Sequence, residues 1–366
     1  SYAGETSTKS IPIKLIPEIA KEFACTRVYT NRDYEPYALE RDKKIFEILN
    51  DQNINFIGSK DHVIFEKSEI VKNDGTPYLV FTPYSKKWKM LFSDQPKEEY
   101  NTLGLIKNLI QVKEKQNLIE LKNMGFEYAP KTIPQKEVEK NIIKSYQNSR
   151  DFPSRNGTSR LGIHLRFGTI SIRELVNNSE NLSETFINEL IWRDFYQMII
   201  FHFPHSSENS FRKEYDLIEW EKNMDHFQLW CSGKTGYPIV DAGMRELNHT
   251  GYMHNRVRMI VASFLTKHLL IDWRLGEAYF ASKLLDYELA SNIGGWQWAA
   301  GSGCDAAPYF RIFNPTTQQQ KFDSEFKYIK KWIPEFDTTN YPEPIIDHKF
   351  ARERALNRFK IGLKKI

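Results

Sequence analysis

Four stretches of this chain bring together residue types that could bind or react. In Gly157-Thr158-Ser159-Arg160-Leu161-Gly162, hydroxyls, a cation and small residues stand directly ahead of a helical segment. That arrangement suits a phosphate or diphosphate seated on backbone amides, although an ordinary Ser/Thr helix cap would use the same residues. Glu189, Trp192, Arg193 and Tyr196 are spaced by threes and fours, so a carboxylate, a large ring and a cation share one helix face. An apolar stripe with a salt bridge would look alike. In His254-Asn255-Arg256-Val257-Arg258-Met259, Asn255 and Met259 form an i, i+4 pair while Arg256 points elsewhere. The Asn amide can offer a donor and an acceptor to a base or flavin edge, and the arginines can pair with carboxylate or phosphate; a basic surface face is the plainer alternative. The run from Asn292 to Pro315 is densest, its glycines and alanines letting backbone approach a bulky ligand while Trp296 and Trp298 remain for packing.

Two other candidates fail. Ser232-Gly233-Lys234-Thr235 ends like a phosphate-binding loop, but Gln228 stands where its first glycine belongs and no strand precedes it. His249 and His254 sit among Arg256 and Arg258 without carboxylate or thiol company, so no metal site is expected.

The elements that must position these residues follow from pattern and composition. The 366 residues carry 51 Lys plus Arg against 47 Asp plus Glu and are 40% hydrophobic, enough for a large core and incompatible with a disordered chain. A net charge of +4 is mild, so nucleic-acid binding would need a local basic patch. Cys25, Cys231 and Cys304 form no CxxC pair, which fits buried free thiols in a reducing compartment. No apolar run reaches the roughly 18 residues of a membrane span, and cytoplasm is the expected location.

Arg27–Thr30 reads as a strand, Tyr37–Asn50 as an amphipathic helix and Asn55–Gly58 as a second strand. Apolar runs at Asp61–Phe65 and Tyr78–Thr82 complete a small α/β region ending near residue 95, and residues 1–25 give little periodicity. A Lys- and Glu-rich connection punctuated by Pro130 and Pro134 runs to Arg155. From Gly162 the pattern is helical, over Thr169–Asn177, Leu182–Phe203, Tyr237–Asn248, His254–Leu270 and Leu275–Ala290. Ser183 signals one helix start and Asp272 another.

Taken together, Gly157-Thr158-Ser159-Arg160-Leu161, Glu189 to Tyr196, Met253 to Met259 and Gly295-Trp296-Gln297-Trp298 through Asn314-Pro315 resemble the photolyase/cryptochrome family over roughly residues 26–340. Within it the chain is most similar to class I cyclobutane-pyrimidine-dimer photolyases. The (6-4) enzymes have histidines where Asn255 and Met259 stand, and DASH cryptochromes differ at the Trp-Gln-Trp run.

The resemblance implies an α/β N-terminal part, a partial Rossmann-like parallel sheet (1–95), a helical linker (96–155) and a large all-α FAD-binding domain (156–366). It implies FAD contacts at Tyr146, Thr158, Ser159, Arg160, Leu161, Gly162, Glu189, Arg193, Tyr252, Asn255, Arg258, Asp286, Glu288 and Asn292. Glu189, Trp192, Asn255 and Met259 would line the dimer pocket, Arg150, Arg256 and Arg311 would hold DNA phosphates, and Trp296, Trp273 and Trp220 would form an electron path to the surface. The implied reaction is light-driven: excited reduced FAD donates an electron to a flipped-out dimer, the ring splits and the electron returns. UV-damaged DNA is the implied partner of a monomer that is nucleoid-associated when bound, and a cryptochrome-type photoreceptor without repair is the competing expectation.

The chain departs from the pattern in places. The family's opening strand with its Trp-Phe-Arg-Arg-Asp-Leu-Arg-like segment is absent, so the resemblance does not carry an antenna chromophore over to this chain. Glu288 stands where Asp is common, Tyr252 where Trp is frequent and Gly162 where Ser is frequent.

Overall fold

A computed structural model describes residues 11–94, 102–110, 118–129 and 131–364. Pro130 lies outside them.

Strand β1 (Arg27–Asn31) and strand β2 (Asn55–Ser59) pair in parallel, Arg27 opposite Asn55 and Asn31 opposite Ser59. A parallel pair needs a crossover, and helix α2 (Pro36–Asp51) supplies it, with Pro36 in its first turn. Helix α1 (Ile11–Glu22) precedes them and was missed by the periodicity argument. Pro12 lies in its first turn and Pro17 inside it, and the apolar face Ile13, Ile16 and Ala20 packs with Ile45, Leu49 and Ile54.

Among the described residues the sheet stops at two strands. The apolar run at 61–65 is buried without extending it, because its backbone donors have another acceptor. The Ile64 and Phe65 N–H groups both donate to Asp194 Oδ2 at 3.1 Å. Likewise Phe81 and Thr82 open helix α3 (Phe81–Ser93), whose Tyr84 and Trp88 are fully buried and whose Trp88 Nε1 donates to the same Asp194 oxygen at 2.9 Å.

Helix α4 (Ile172–Ser179) and the long helix α5 (Glu184–His202) follow. Ser183 caps α5, accepting from the Phe186 N–H at 3.3 Å, as expected. Residues of α4 and α5 form one core with Ile64, Phe65, Tyr84 and Trp88. A second core gathers helix α6 (Pro238–Thr250), helix α7 (Asn255–Ser263), helix α8 (Trp273–Lys283) and helix α9 (Leu289–Ala300). Between Met224–Ser232 and α6, Gly233 ends a helix with φ +64° and Thr235 donates to Asp241, which accounts for the Ser-Gly-Lys-Thr run without a ligand.

Two expectations change. The helix expected over His254–Leu270 is α7 followed by a single wide turn, Phe264–His268, with i to i+5 bonding. The helix expected over Leu275–Ala290 breaks after Lys283 and restarts at Leu289. The intervening loop is pulled open by tertiary partners: Leu285 N–H donates to Gly251 O at 2.9 Å, Asp286 pairs with Arg258, and Glu288 pairs with Arg193. Helix α9 lies close on its neighbours because Gly294 receives the Tyr196 ring and Gly276 of α8 receives the Trp296 ring, where a Cβ would overlap either. Among the described residues no helix is long and apolar enough to cross a membrane.

Asp194 generates a stability prediction. Burial pushes its carboxyl up to about 6, against the pull of Trp88 and the two amides, while the unfolded value is about 4. A raised carboxylate pKa means the folded chain binds the extra proton, so this group's contribution is fullest below pH ~4 and is lost as pH rises through about 6. Urea unfolding at several pH values should show wild-type stability falling relative to Asp194→Asn across that window. Asp194→Ala, which strands three buried donors, should cost about 3 kcal/mol or more.

Candidate active site

Helix α5 turns Glu189, Trp192, Arg193 and Tyr196 toward one cavity of about 460 Å³, as their spacing predicted. Helix α7 adds Asn255, Arg258 and Met259, the 284–288 loop adds Asp286 and Glu288, and α9 adds Asn292, Gly295, Trp296 and Trp298. Arg150, Arg166, Tyr287 and Ser291 add polar lining, Gly162 lines it through backbone, and Leu165, Ala262, Phe280 and Leu284 form apolar wall. Residues more than a hundred positions apart therefore converge on one space. The site residues read from the sequence do not include Arg166, Tyr287, Ser291, Phe280 or Trp298, which also line the cavity. The Trp-x-Trp spacing was the available signal for Trp298, and Phe280 looks like any core phenylalanine.

Apart from Arg166, the charged side chains that line the cavity come in pairs. Arg258 Nη2 meets Asp286 Oδ2 at 2.9 Å and Arg193 Nη2 meets Glu288 Oε1 at 2.8 Å. Burial disfavours charge on Glu288, but Arg193 and the Ser291 hydroxyl outweigh it and hold the carboxyl below its ordinary range. At the mouth, Arg150 is hydrogen-bonded to Glu189 and lies over the Tyr146 ring, 5.6 Å from its centroid. Burial pushes the Glu189 carboxyl above its ordinary range, with Arg150 pulling the other way. Arg256 does not line the cavity; its Nη2 donates to Asp151 at 2.7 Å and its guanidinium covers Phe322 at 4.4 Å.

Asn292 is oriented from behind. Its Nδ2 donates to Glu277 Oε1 at 2.9 Å, so the amide oxygen is the group it can turn to a ligand. Gly162 has a local reason: a Cβ there would lie 2.9 Å from Asp286 Oδ2, and the absent side chain admits Asp286 beside Arg258.

Thr158, Ser159, Arg160, Leu161 and Tyr252 form a shoulder beside the cavity without lining it. Thr158 Oγ1 and the Tyr252 hydroxyl are 3.4 Å apart, and Arg160 and Arg258 lie over the Tyr252 ring at 4.9 and 5.8 Å. Arg160 adopts φ +54°, in the left-handed region, and the five-residue helix Gly162–Arg166 follows. Of the three tryptophans, Trp296 lines the cavity and Trp273 is fully buried in the same core one turn before Gly276, which contacts Trp296. Trp220 is half-buried against that core and packs edge-on to Phe359 at 6.0 Å. Arg311 is exposed, near Phe313, and is not among the cavity residues. Among the described residues no group of three or more His, Cys, Asp or Glu side chains could hold a metal.

The family model described as the FAD binding domain of DNA photolyase matches residues 186–340, and that described as DNA photolyase matches residues 5–101. A deoxyribodipyrimidine photo-lyase of Alkalihalophilus pseudofirmus is 40% identical over 91% of this chain and 78% of its own length. The chain belongs to the DNA photolyase family. A class III photolyase structure from Agrobacterium tumefaciens is similar at 33% identity and TM-score 0.83, covering 99% of this chain and 83% of that one. A Synechocystis cryptochrome structure matches at 25% identity and TM-score 0.77, covering 95% and 82%. An α/β N-terminal part followed by a helical FAD domain is thus the fold of this photolyase-family chain. Its match begins before residue 26, where the motifs alone had begun it, and takes in α1.

The cavity residues fit FAD. Apolar wall from Met259, Phe280, Leu284 and Trp296 suits a flat ring system, and the paired Arg258 and Asp286 offer a donor and an acceptor beside it. Gly295 leaves room: a Cβ there would meet nothing within 4 Å. Gly295→Leu should therefore leave the fold intact, its Tm within a few degrees of wild type, while copurifying flavin absorbance falls at least tenfold, equivalent to about 1.4 kcal/mol of binding. Thermal melts and flavin-to-protein absorbance ratios check both halves.

Proposed function

We propose that this chain repairs cyclobutane pyrimidine dimers in DNA under blue light, as a class I-type enzyme, with the dimer flipped out of the duplex into the cavity. The reading rests on one observation above others: Glu189, Trp192, Asn255 and Met259 share a cavity with Arg258, Asp286 and Asn292. The first four suit a lesion and the last three suit a flavin, so electron donor and acceptor would lie side by side. The division into an α/β part (1–95), a linker (96–155) and a catalytic part (156–366) belongs to the same proposal, as do the remaining contacts at Tyr146, Thr158, Ser159, Arg160, Leu161, Arg193, Tyr252 and Glu288.

FAD held in this cavity by Arg258, Asp286 and Asn292 would supply light-driven one-electron chemistry, donating to the dimer and taking the electron back. The protein's own groups do the rest. Trp192 offers an indole face to the lesion, whose unstacking is cheap because the duplex is already distorted. Asn255, exposed at the start of α7, presents its amide to the base edges, and Met259 one turn on fills apolar space beside them. Arg150 and Arg256 are held by Glu189 and Asp151, and both can exchange those carboxylates for DNA phosphates. When Arg150 turns away, Glu189 keeps the burial that raises its pKa and loses the cation that lowered it. That change favours its protonated form, which can donate to a carbonyl of the dimer as negative charge develops there. Trp296, Trp273 and Trp220 form the proposed electron path between surface and cavity.

The deciding experiment is incubation of a thymine-dimer oligonucleotide with the chemically reduced protein under blue light, with a dark control. Light-dependent recovery of intact thymines is the expected result. Bound, reducible FAD without repair would favour the photoreceptor reading, for which the cryptochrome neighbour is the supporting observation. A second expectation concerns DNA contact alone. Arg256→Ala should lower the log–log salt slope of oligonucleotide binding by about one unit, and an unchanged slope would remove Arg256 from the phosphate contacts.

A further inference from the structure

The indole of Trp192 has two faces, and one is already covered. Phe81 lies flat against it, ring centroids 3.8 Å apart and planes 2° from parallel. Phe81 comes from the N-terminal part of the chain, as the first residue of α3. Its position is fixed independently of Trp192. Its N–H donates to Asp305 Oδ2 at 3.1 Å, and its ring meets Phe195 edge-on at 6.0 Å and 81°. Asp305 belongs to the loop after α9 and holds the left-handed conformation, φ +45°, so the helix bearing Trp296 and Trp298 also anchors Phe81. From α5, Phe195 meets Trp192 edge-on at 5.5 Å and Tyr196 lies tilted beside it at 5.4 Å. The indole is thus clamped behind and at its edge, and it borders the cavity.

We propose that Phe81 is a positioning residue for lesion recognition: by covering one face of Trp192 it fixes the indole before DNA arrives, so that a flipped-out dimer meets one pre-oriented aromatic face. The inference rests on the dimer-pocket reading above and assigns the N-terminal part a role in substrate binding. Without the stack, Trp192 has a second apolar face open to water and more rotamers, and dimer binding must then order the side chain. The loss falls on the step that uses the indole and spares contacts made elsewhere.

The test compares Phe81→Leu, which keeps apolar volume without the stack, with Phe81→Tyr, which restores a ring. Affinity is measured for a thymine-dimer oligonucleotide and its undamaged counterpart, alongside flavin content and repair kinetics. Phe81→Leu should weaken dimer binding and raise KM about threefold to tenfold, leaving kcat, flavin content and undamaged-DNA affinity at wild-type values; Phe81→Tyr should return dimer affinity to within about twofold. Undiminished dimer affinity in Phe81→Leu overturns the inference. Equal losses for damaged and undamaged DNA, or failure of Phe81→Tyr to restore binding, overturn it too, because both indicate general support of the fold. A wild-type protein that binds the two oligonucleotides equally would instead bring down the dimer-pocket reading on which the inference stands.

Discussion

Asp194 is the point on which two halves of the architecture turn. One carboxylate oxygen accepts from the Ile64 and Phe65 amides and from the Trp88 indole, while Oδ1 is buried without a partner among the described residues. Asp194 is two residues from both Trp192 and Tyr196, roughly 200° around α5. The helix is therefore pinned to the N-terminal segment through Asp194, while Phe81 of the same segment reaches round to Trp192. A longer or shorter side chain at 194 would move the segment carrying Phe65 and Trp88, and with it the seating of α3.

The cavity follows a different rule, in which most of its charges are paired before any ligand enters. Arg258 with Asp286, which are also hydrogen-bonded, and Arg193 with Glu288 are ion pairs, since an uncompensated charge buried there would be expensive. They also open the chain between α8 and α9, because both acids sit on that loop. Of the four pairs Arg193 with Glu288 is the most buried, while Arg150 with Glu189 and Arg256 with Asp151 each leave one member more than a quarter exposed.

Much of this was legible in the sequence where local pattern and tertiary environment agree. The strands at 27 and 55, the helix between them and the shared face of Glu189, Trp192, Arg193 and Tyr196 follow from periodicity alone. The misses occur where a distant partner overrides the pattern. Ile64 and Phe65 look like a strand, but their donors belong to Asp194, far along the chain. Leu275–Ala290 looks continuous, but Arg258 and Arg193 draw Asp286 and Glu288 into a loop. The glycines of α9 were noticed as room for a ligand, and only Gly295 serves that purpose, since Gly294 makes room for Tyr196. Nothing local distinguishes the two.

The same logic bears on what the α/β part contributes. Its two-stranded sheet has a small core of its own, Ala20, Ile45, Leu49 and Ile54, whereas Ile64, Phe65, Tyr84 and Trp88 share a core with α4 and α5. The chain after β2 is thus packed as part of the helical body. A core of four buried side chains is marginal by itself, while the shared core buries large aromatics against a long helix, the kind of contact that dominates stability. The N-terminal part is consequently held to the site by its later half, through Asp194, Trp88 and the Phe81 stack. Loss of the sheet would leave that attachment in place, whereas loss of the segment from Val63 to Ser93 would expose one side of α5 and uncover the back of Trp192.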